Sequence, residues 1–123
     1  MYNDKVYEKF MEENAGYGYL RVRVSSASDA IPIKDAYIKI IKDIDGEDVI
    51  FYEGVTDESG MTPKIKLPTP FLDENNLVKP NMVTYKLEAK YKSFSNIYNV
   101  NLYEGVCVIQ NIDIPSYYGE ISD

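Results

Sequence analysis

The sequence predicts an all-β fold, an antiparallel β-sandwich of about seven strands preceded by one short helix. Three observations support this prediction. The 123 residues include 12 Tyr and no Trp, and Tyr, together with Val and Ile, is typical of pleated, half-buried strands. Apolar and polar residues alternate in several short segments, as they do when one side of a strand is buried. Turn-forming residues such as Asp45-Gly46 separate these segments.

The alternation predicts which strand residues face the core. The predicted inward set is Leu20, Val22, Val24, Ile38, Ile40, Leu87, Ala89, Val100 and Leu102. The predicted outward set is Arg21, Arg23, Lys86, Glu88 and Lys90. Asp57-Glu58-Ser59-Gly60 is a second turn, and Pro63 places the short strand that follows at the edge of a sheet.

Residues 3–15 form the predicted helix, because apolar residues recur there at a spacing of four. This stripe either packs on its own domain or docks on another subunit, since so short a helix needs its apolar side covered. Tyr residues in the C-terminal tail could stack on a sugar ring or fold back on the domain. The candidate interaction residues are therefore Tyr2, Val6, Tyr7, Phe10, Met11, Tyr117 and Tyr118.

The expected domain organisation is a helix and linker at 1–16, a sandwich at 17–115 and a flexible tail at 116–123. The N-terminus lacks the basic start and apolar run of a secretory signal, so we expect synthesis in the cytoplasm, with incorporation into a particle or spore structure as one fate. No apolar stretch is long enough to suggest a membrane span.

The composition argues against enzymatic chemistry. Histidine is absent, which excludes imidazole as a general base or metal ligand. The single cysteine, Cys107, lies in an apolar strand pattern and is expected to behave as a small hydrophobe. The run from Asp43 to Asp48 lacks the spacing of a calcium loop and is explained by the hairpin. We therefore expect no catalytic residue, no metal and no cofactor, and the net charge of −7 argues against nucleic-acid binding.

Several segments together resemble a known family. They are Gly18-Tyr19-Leu20-Arg21-Val22-Arg23-Val24, Ile31-Pro32-Ile33, Thr56-Asp57-Glu58-Ser59-Gly60, Leu67-Pro68-Thr69-Pro70 and the run from Tyr103 to Asn111. Over residues 17–115 the chain resembles carboxypeptidase-regulatory-like, transthyretin-like (prealbumin-like) domains, and in particular the accessory domain of spore cortex-lytic and peptidoglycan-binding proteins of spore-forming bacteria. The resemblance implies a non-catalytic accessory role. In related adhesin domains a first-strand Lys forms an isopeptide bond, but here the first strand carries Arg21 and Arg23.

These observations leave three functions open. The first is a structural or interaction subunit that self-associates or contacts other protein subunits in a phage-tail-like particle or a spore layer. The second is an accessory module that binds cell-wall peptidoglycan or glycan. The third is a regulatory partner of a separately encoded enzyme. Fold analogy alone does not choose among them.

Overall fold

A computed structural model describes residues 4–27, 30–73, 75 and 81–115 of the chain. It is a β-sandwich of two four-stranded sheets with one short helix, as the sequence predicts. The elements are α1 (Asp4–Glu13), β1 (Gly16–Ser26), β2 (Ile31–Pro32), β3 (Tyr37–Ile44), β4 (Glu47–Val55), β5 (Ile65–Thr69), β6 (Val83–Tyr91), β7 (Phe94–Leu102) and β8 (Cys107–Ile114).

The first sheet is built around β1. Strands β5 and β2 pair antiparallel with the two ends of one edge of β1, from Gly16↔Thr69 to Ser26↔Ile31. Strand β8 pairs with the other edge of β1 and runs parallel to it, starting at Tyr19↔Cys107. This parallel pair differs from the predicted antiparallel arrangement, because side-chain alternation shows which face is buried but carries no information on strand direction. Strand β5 lies at an edge, as Pro63 predicted.

The second sheet is antiparallel, in the order β4-β3-β6-β7. Asp45 and Gly46 join β3 to β4 with φ values of 53° and 86°, the positive pair that a type I′ hairpin turn requires. The hairpin between β6 and β7 turns at Lys92 and Ser93, with Lys92 at φ 53°. This second turn lacks the glycine or asparagine that usually marks such a turn, so nothing in the local sequence shows that β7 begins at Phe94.

The core lies between the two sheets and contains every residue that the alternation placed inside. Each of the following is buried, with at most 3% of its surface exposed: Leu20, Val22, Val24, Ile38, Ile40, Leu87, Ala89, Val100 and Leu102. Tyr85 is also fully buried, and its hydroxyl donates a hydrogen bond to the Pro68 carbonyl at 2.6 Å. Burial raises the pKa of Tyr85 because the phenolate would lose its hydration there.

The turn at 57–60 connects the two sheets and is tightly hydrogen-bonded. The Asp57 carboxylate accepts hydrogen bonds from the amides of Ser59 at 2.8 Å and Met61 at 3.1 Å. Gly60 has a φ of 75°, and its carbonyl accepts a hydrogen bond from the Val24 amide at 2.7 Å. The turn predicted from the sequence therefore fixes the segment that leads into β5 against the middle of β1. No helix in the described ranges is long and apolar enough to cross a membrane.

Candidate interaction surface

The predicted interaction residues of α1 lie against the core of their own domain. Phe10 is buried, with 9% of its surface exposed, and Val6, Tyr7 and Met11 are half-buried against the same cluster. The residue that receives them is Phe51, whose ring centroid lies 5.8 Å from that of Phe10 and 6.3 Å from that of Tyr7. The apolar stripe thus has a covering surface within one chain.

A β-bulge explains why Phe51 is available to the helix. The pairing of β3 with β4 steps from Ile40↔Tyr52 to Ile41↔Ile50, which leaves Phe51 opposite no residue of β3. Its ring reaches the core, where it meets Tyr85 edge-on at a centroid distance of 5.5 Å. The other predicted interaction residues, Tyr2, Tyr117 and Tyr118, lie outside the described residues.

An open groove of ≈ 370 Å³ separates α1 from the β3–β4 hairpin. Its lining mixes apolar and charged side chains: Val6, Lys9, Phe10, Glu13, Asp43, Ile44 and Asp45. The Asp43 carboxylate accepts a hydrogen bond from the Gly46 amide at 2.8 Å and so serves the turn itself. Within the described ranges, no group of three or more His, Cys, Asp or Glu side chains is arranged to hold a metal ion. The groove therefore offers neither an enclosed apolar pocket nor a metal-ligand set.

The position of Cys107 differs from that of a small hydrophobe packed among apolar neighbours, which its strand pattern suggested. Cys107 is exposed, because it is the first residue of β8 and pairs with Tyr19, which faces outward. In the last strand the inward positions are those of Ile112 and Ile114. The local sequence is apolar on both sides of β8, so its alternation did not reveal which face Cys107 occupies.

The outer face of the first sheet carries a concentration of positive charge. From β1 it presents Tyr17, Tyr19, Arg21 and Arg23, from β5 it presents Lys66 with Lys64 just before the strand, and from β8 it presents Ile109. We call these seven residues the basic face; the same side of β8 ends in one acid, Asp113, opposite Ser25. Tyr17 and Ile109 are 42% and 56% exposed, so the face combines four cations with accessible apolar surface. This is notable in a protein whose net charge is −7.

The lysines of the basic face lie flat against its tyrosine rings. The Lys66 ammonium is 4.1 Å from the centre of the Tyr17 ring, and the Lys64 ammonium is 4.4 Å from the centre of the Tyr19 ring. These cation–π contacts hold the ammonium groups close to the sheet and restrict their motion. They also occupy the ring faces on which a sugar would otherwise stack.

Three of the four charges of the basic face, those of Arg21, Lys64 and Lys66, lack a carboxylate partner among the described residues. Arg21 donates a hydrogen bond to the Thr62 carbonyl at 3.2 Å, which orients its guanidinium without cancelling its charge. Three ordered cations are therefore available to an acidic partner.

The outer face of the second sheet is different, because its charges are mixed. Lys39 pairs across strands with Glu53 and Glu88, and the Lys90 ammonium lies 3.6 Å from the Glu88 carboxylate. The Tyr37 hydroxyl donates a hydrogen bond to the Glu53 carboxylate, and this bond, with the nearby negative charge, raises the pKa of Tyr37 to about 12. On this face Lys39 and Lys90 therefore lie beside carboxylates, unlike Arg21, Lys64 and Lys66 on the first sheet.

The sequence marks Arg21 and Arg23 as solvent-facing, but it gives no sign that Lys64 and Lys66 lie beside them. The alternation of Tyr19, Arg21 and Arg23 marked one wet side of a strand, and Lys64 and Lys66 have the same period of two. Nothing in the sequence indicates that β5 and β8 flank β1, and it is this pairing that brings the cations onto one surface.

Comparisons with known proteins agree with the fold at low sequence identity. The Bacillus anthracis TIE protein aligns with a TM-score of 0.54 and 10% identity over 81% of this chain, which spans 16% of the TIE protein's length. Transthyretin from Sparus aurata aligns with a TM-score of 0.47 and 16% identity, covering 78% of this chain and 89% of that one. Sea bream transthyretin in complex with thyroxine aligns with a TM-score of 0.47 and 16% identity, covering 76% of this chain and 85% of that one.

No protein-family model and no curated protein matches the sequence. The likeness to the TIE protein extends to the sandwich fold and not to function. The transthyretin alignments add no argument about this chain.

Proposed function

We propose that this protein is a non-catalytic interaction subunit that acts by protein–protein contact in a larger assembly, and that the basic face is its contact surface. The observation that carries the proposal is the set of unneutralised cations, Arg21, Lys64 and Lys66, ordered on one sheet of an acidic protein. The absence of histidine from the sequence supports a non-catalytic role, because imidazole is the usual general base near neutral pH.

The chemistry of the basic face fits an acidic protein surface. Each exposed ion pair contributes only about 0.2–1 kcal/mol, so several pairs must form together for useful affinity. The cation–π contacts of Lys64 and Lys66 hold both ammonium groups at the face and offset a small part of the conformational entropy that binding would cost. Exposed Ile109 and Tyr17 add apolar contact beside the charges. The contact is consequently expected to be specific and sensitive to salt.

The proposed setting is a phage-tail-like particle or a spore layer. A subunit of such a particle needs a rigid domain that presents a defined surface, and the sandwich with its ordered cations is suited to this. The accessory domain of spore cortex-lytic and peptidoglycan-binding proteins, which the sequence resembles, provides the second setting. There the basic face would bind the cell wall, whose polymers carry carboxylate and phosphate groups.

One observation favours the protein partner over a wall glycan. Glycan recognition commonly relies on stacking against an aromatic ring, but the Lys66 and Lys64 ammonium groups lie over the rings of Tyr17 and Tyr19. A sugar would first have to displace them. An acidic side chain can approach the same ammonium groups where they are.

Charge reversal on the basic face tests the proposal. In the full chain, Lys64→Glu with Lys66→Glu should weaken binding to poly-L-glutamate by about tenfold or more, since two attractive contacts become repulsive. Lys39→Gln with Lys90→Gln on the other sheet is the control, which avoids placing new carboxylates beside Glu53 and Glu88, and with its fold checked by a thermal melt it should leave binding close to that of the wild type.

Equal losses in the two double variants would show that the location of the changed charges does not matter and would overturn the assignment of the face. Retained binding in the Lys64 and Lys66 variant would overturn it as well. Purified peptidoglycan sacculi serve as the second probe. If the Lys64 and Lys66 changes abolish binding to sacculi while poly-L-glutamate binds no variant, the wall-binding function replaces the one proposed.

A further inference from the structure

We propose that the acidic partner of the basic face is a second copy of this chain, and that the docking element is the tip of its β3–β4 hairpin. This inference rests on the proposed function and names the occupant of the proposed surface. The chain carries two surfaces of opposite charge, the basic face and the hairpin tip, which cannot contact each other within one molecule.

The hairpin tip is a compact negative feature. Four of the six residues from 43 to 48 are acidic, namely Asp43, Asp45, Glu47 and Asp48, and all four are exposed. Within the described ranges, none of the four takes part in an ion pair. The tip is also well defined in shape, because Asp45 and Gly46 form the tight turn and Asp43 accepts a hydrogen bond from Gly46.

The acids of the tip repel one another, and Lys9 of α1, across the groove from Asp43 and Asp45, is the cation of the same chain that lines this region. Asp43 and Asp48 are direct cross-strand partners in the β3–β4 pairing. Like charges directly opposite each other destabilise a strand pair. Bound cations would relieve this repulsion, so docking on a basic surface stabilises the tip itself as well as the contact.

The two surfaces match in form. Arg21 and Arg23 lie two residues apart in β1, so their positions are about 6.6 Å from each other, and Lys64 and Lys66 lie on the adjacent segment. At the tip, the four acids fall within six consecutive residues of one hairpin. A narrow hairpin end carrying four acids can therefore contact several cations of a sheet face together.

The contact cannot form within one molecule. The basic face points away from the second sheet, whereas the hairpin tip belongs to that sheet. The hairpin tip of one copy therefore docks on the basic face of another copy, and the contact joins two different surfaces of the protein. Such a heterologous contact leaves a free tip at one end and a free face at the other, so it produces a ring or an open array. An array of this kind is the simplest form of the proposed assembly.

Two neutral double variants test the proposal. Lys64→Gln with Lys66→Gln removes charge from the face, and Asp45→Asn with Asp48→Asn removes charge from the tip. The Asn-Gly pair at 45–46 keeps the hairpin turn favourable. A thermal melt of each variant checks its folding, and sedimentation velocity of the full chain at low salt measures its association.

We expect the wild type to form species larger than a dimer as concentration rises, and to dissociate near 1 M salt, where the screening length falls to about 3 Å. Each variant alone should stay monomeric. Their equimolar mixture should give one-to-one dimers and nothing larger, because only one intact face and one intact tip remain to pair.

The failure of this inference can be separated from failure of the proposed function. A wild type that stays monomeric at low salt, while the face still binds poly-L-glutamate, would show that the partner is not a second copy. Self-association that persists in either neutral variant would assign it to another surface. If the Lys64 and Lys66 variants keep both self-association and poly-L-glutamate binding, both proposals are overturned.

Discussion

Two of three buried threonines, Thr56 and Thr62, show how single hydroxyl groups fix the connections between strands. The Thr56 hydroxyl accepts a hydrogen bond from the Ala36 amide at 2.9 Å and donates one to the Ile33 carbonyl at 2.6 Å. The Thr62 hydroxyl accepts a hydrogen bond from the Val22 amide at 3.0 Å. The hydroxyl of Thr69, by contrast, is buried and finds no hydrogen-bond partner among the described residues. A buried polar group costs free energy unless it is paired, so these residues have opposite effects on stability.

Replacement by valine should separate the two roles. Thr56→Val leaves two buried backbone groups unpaired and should lower the free energy of unfolding by about 2 kcal/mol or more. Thr69→Val removes a hydroxyl that has no partner in the described ranges, so its effect should be neutral or stabilising. Urea denaturation of both variants measures the difference. If both variants lose the same free energy of unfolding, the Thr69 hydroxyl contributes a hydrogen bond after all.

At the scale of the element, the 57–60 turn depends on one glycine because of space as well as backbone angle. Gly60 has a positive φ, and a Cβ built there would lie 2.4 Å from the Val24 carbonyl oxygen and 3.0 Å from the Ile33 amide nitrogen. Both neighbours are backbone atoms, one in β1 and one in the segment after β2. Moving either would disturb backbone hydrogen bonds of the first sheet. Gly46 in the other turn has a similar φ of 86°, but a Cβ there would meet nothing within 4 Å.

The matched pair Gly60→Ala and Gly46→Ala should separate these two effects. Gly46→Ala adds only the strain of a left-handed conformation, about 1–2 kcal/mol. Gly60→Ala adds the same strain and a steric clash that overpacks the sheet by about 1–3 kcal/mol more. Guanidinium denaturation should therefore place Gly60→Ala clearly below Gly46→Ala in stability. Similar values would show that the chain around Gly60 relaxes freely.

Elements differ in how far the sequence determines them. The β3–β4 hairpin was predictable because Asp45-Gly46 has the positive φ values that few residues adopt. The turn at Lys92 and Ser93 was not, since neither residue marks a hairpin. The bulge at Phe51 was equally hidden, because one extra residue in a strand is specified by tertiary packing against α1 and Tyr85.

At the scale of the whole molecule, the sequence did not indicate which distant strands pair with each other. Arg21 and Lys66 each appear in the sequence as an ordinary solvent-facing residue of a strand. The pairing of β1 with β5 makes them neighbours on one surface. The net charge of −7 concealed this surface, because composition averages over the two sheets. The candidate site is therefore a property of topology, which alternation and turn signals do not specify.

The relation of α1 to the sandwich gives the last prediction at this scale. The helix stripe could cover its own core or a partner, and the structure places Phe10 in ring contact with Phe51 while leaving it 9% exposed. We therefore expect Phe10→Ala to lower the free energy of unfolding by about 3 kcal/mol, near the lower end for deleting a buried ring, since the site lies at the end of the core. Helix and sandwich should still unfold in a single transition followed by far-UV circular dichroism.

The control for this prediction is Glu12→Ala, an exposed change on the same helix that should alter stability by no more than about 0.5 kcal/mol. Both variants should retain any self-association, because the basic face and the hairpin tip are unchanged. If Phe10→Ala keeps full stability but loses self-association, the stripe is a docking surface, and α1 rather than the basic face makes the contact. If it loses stability alone, as the packing of Phe10 on Phe51 implies, the helix completes the core of its own chain, leaving the first sheet free for a partner.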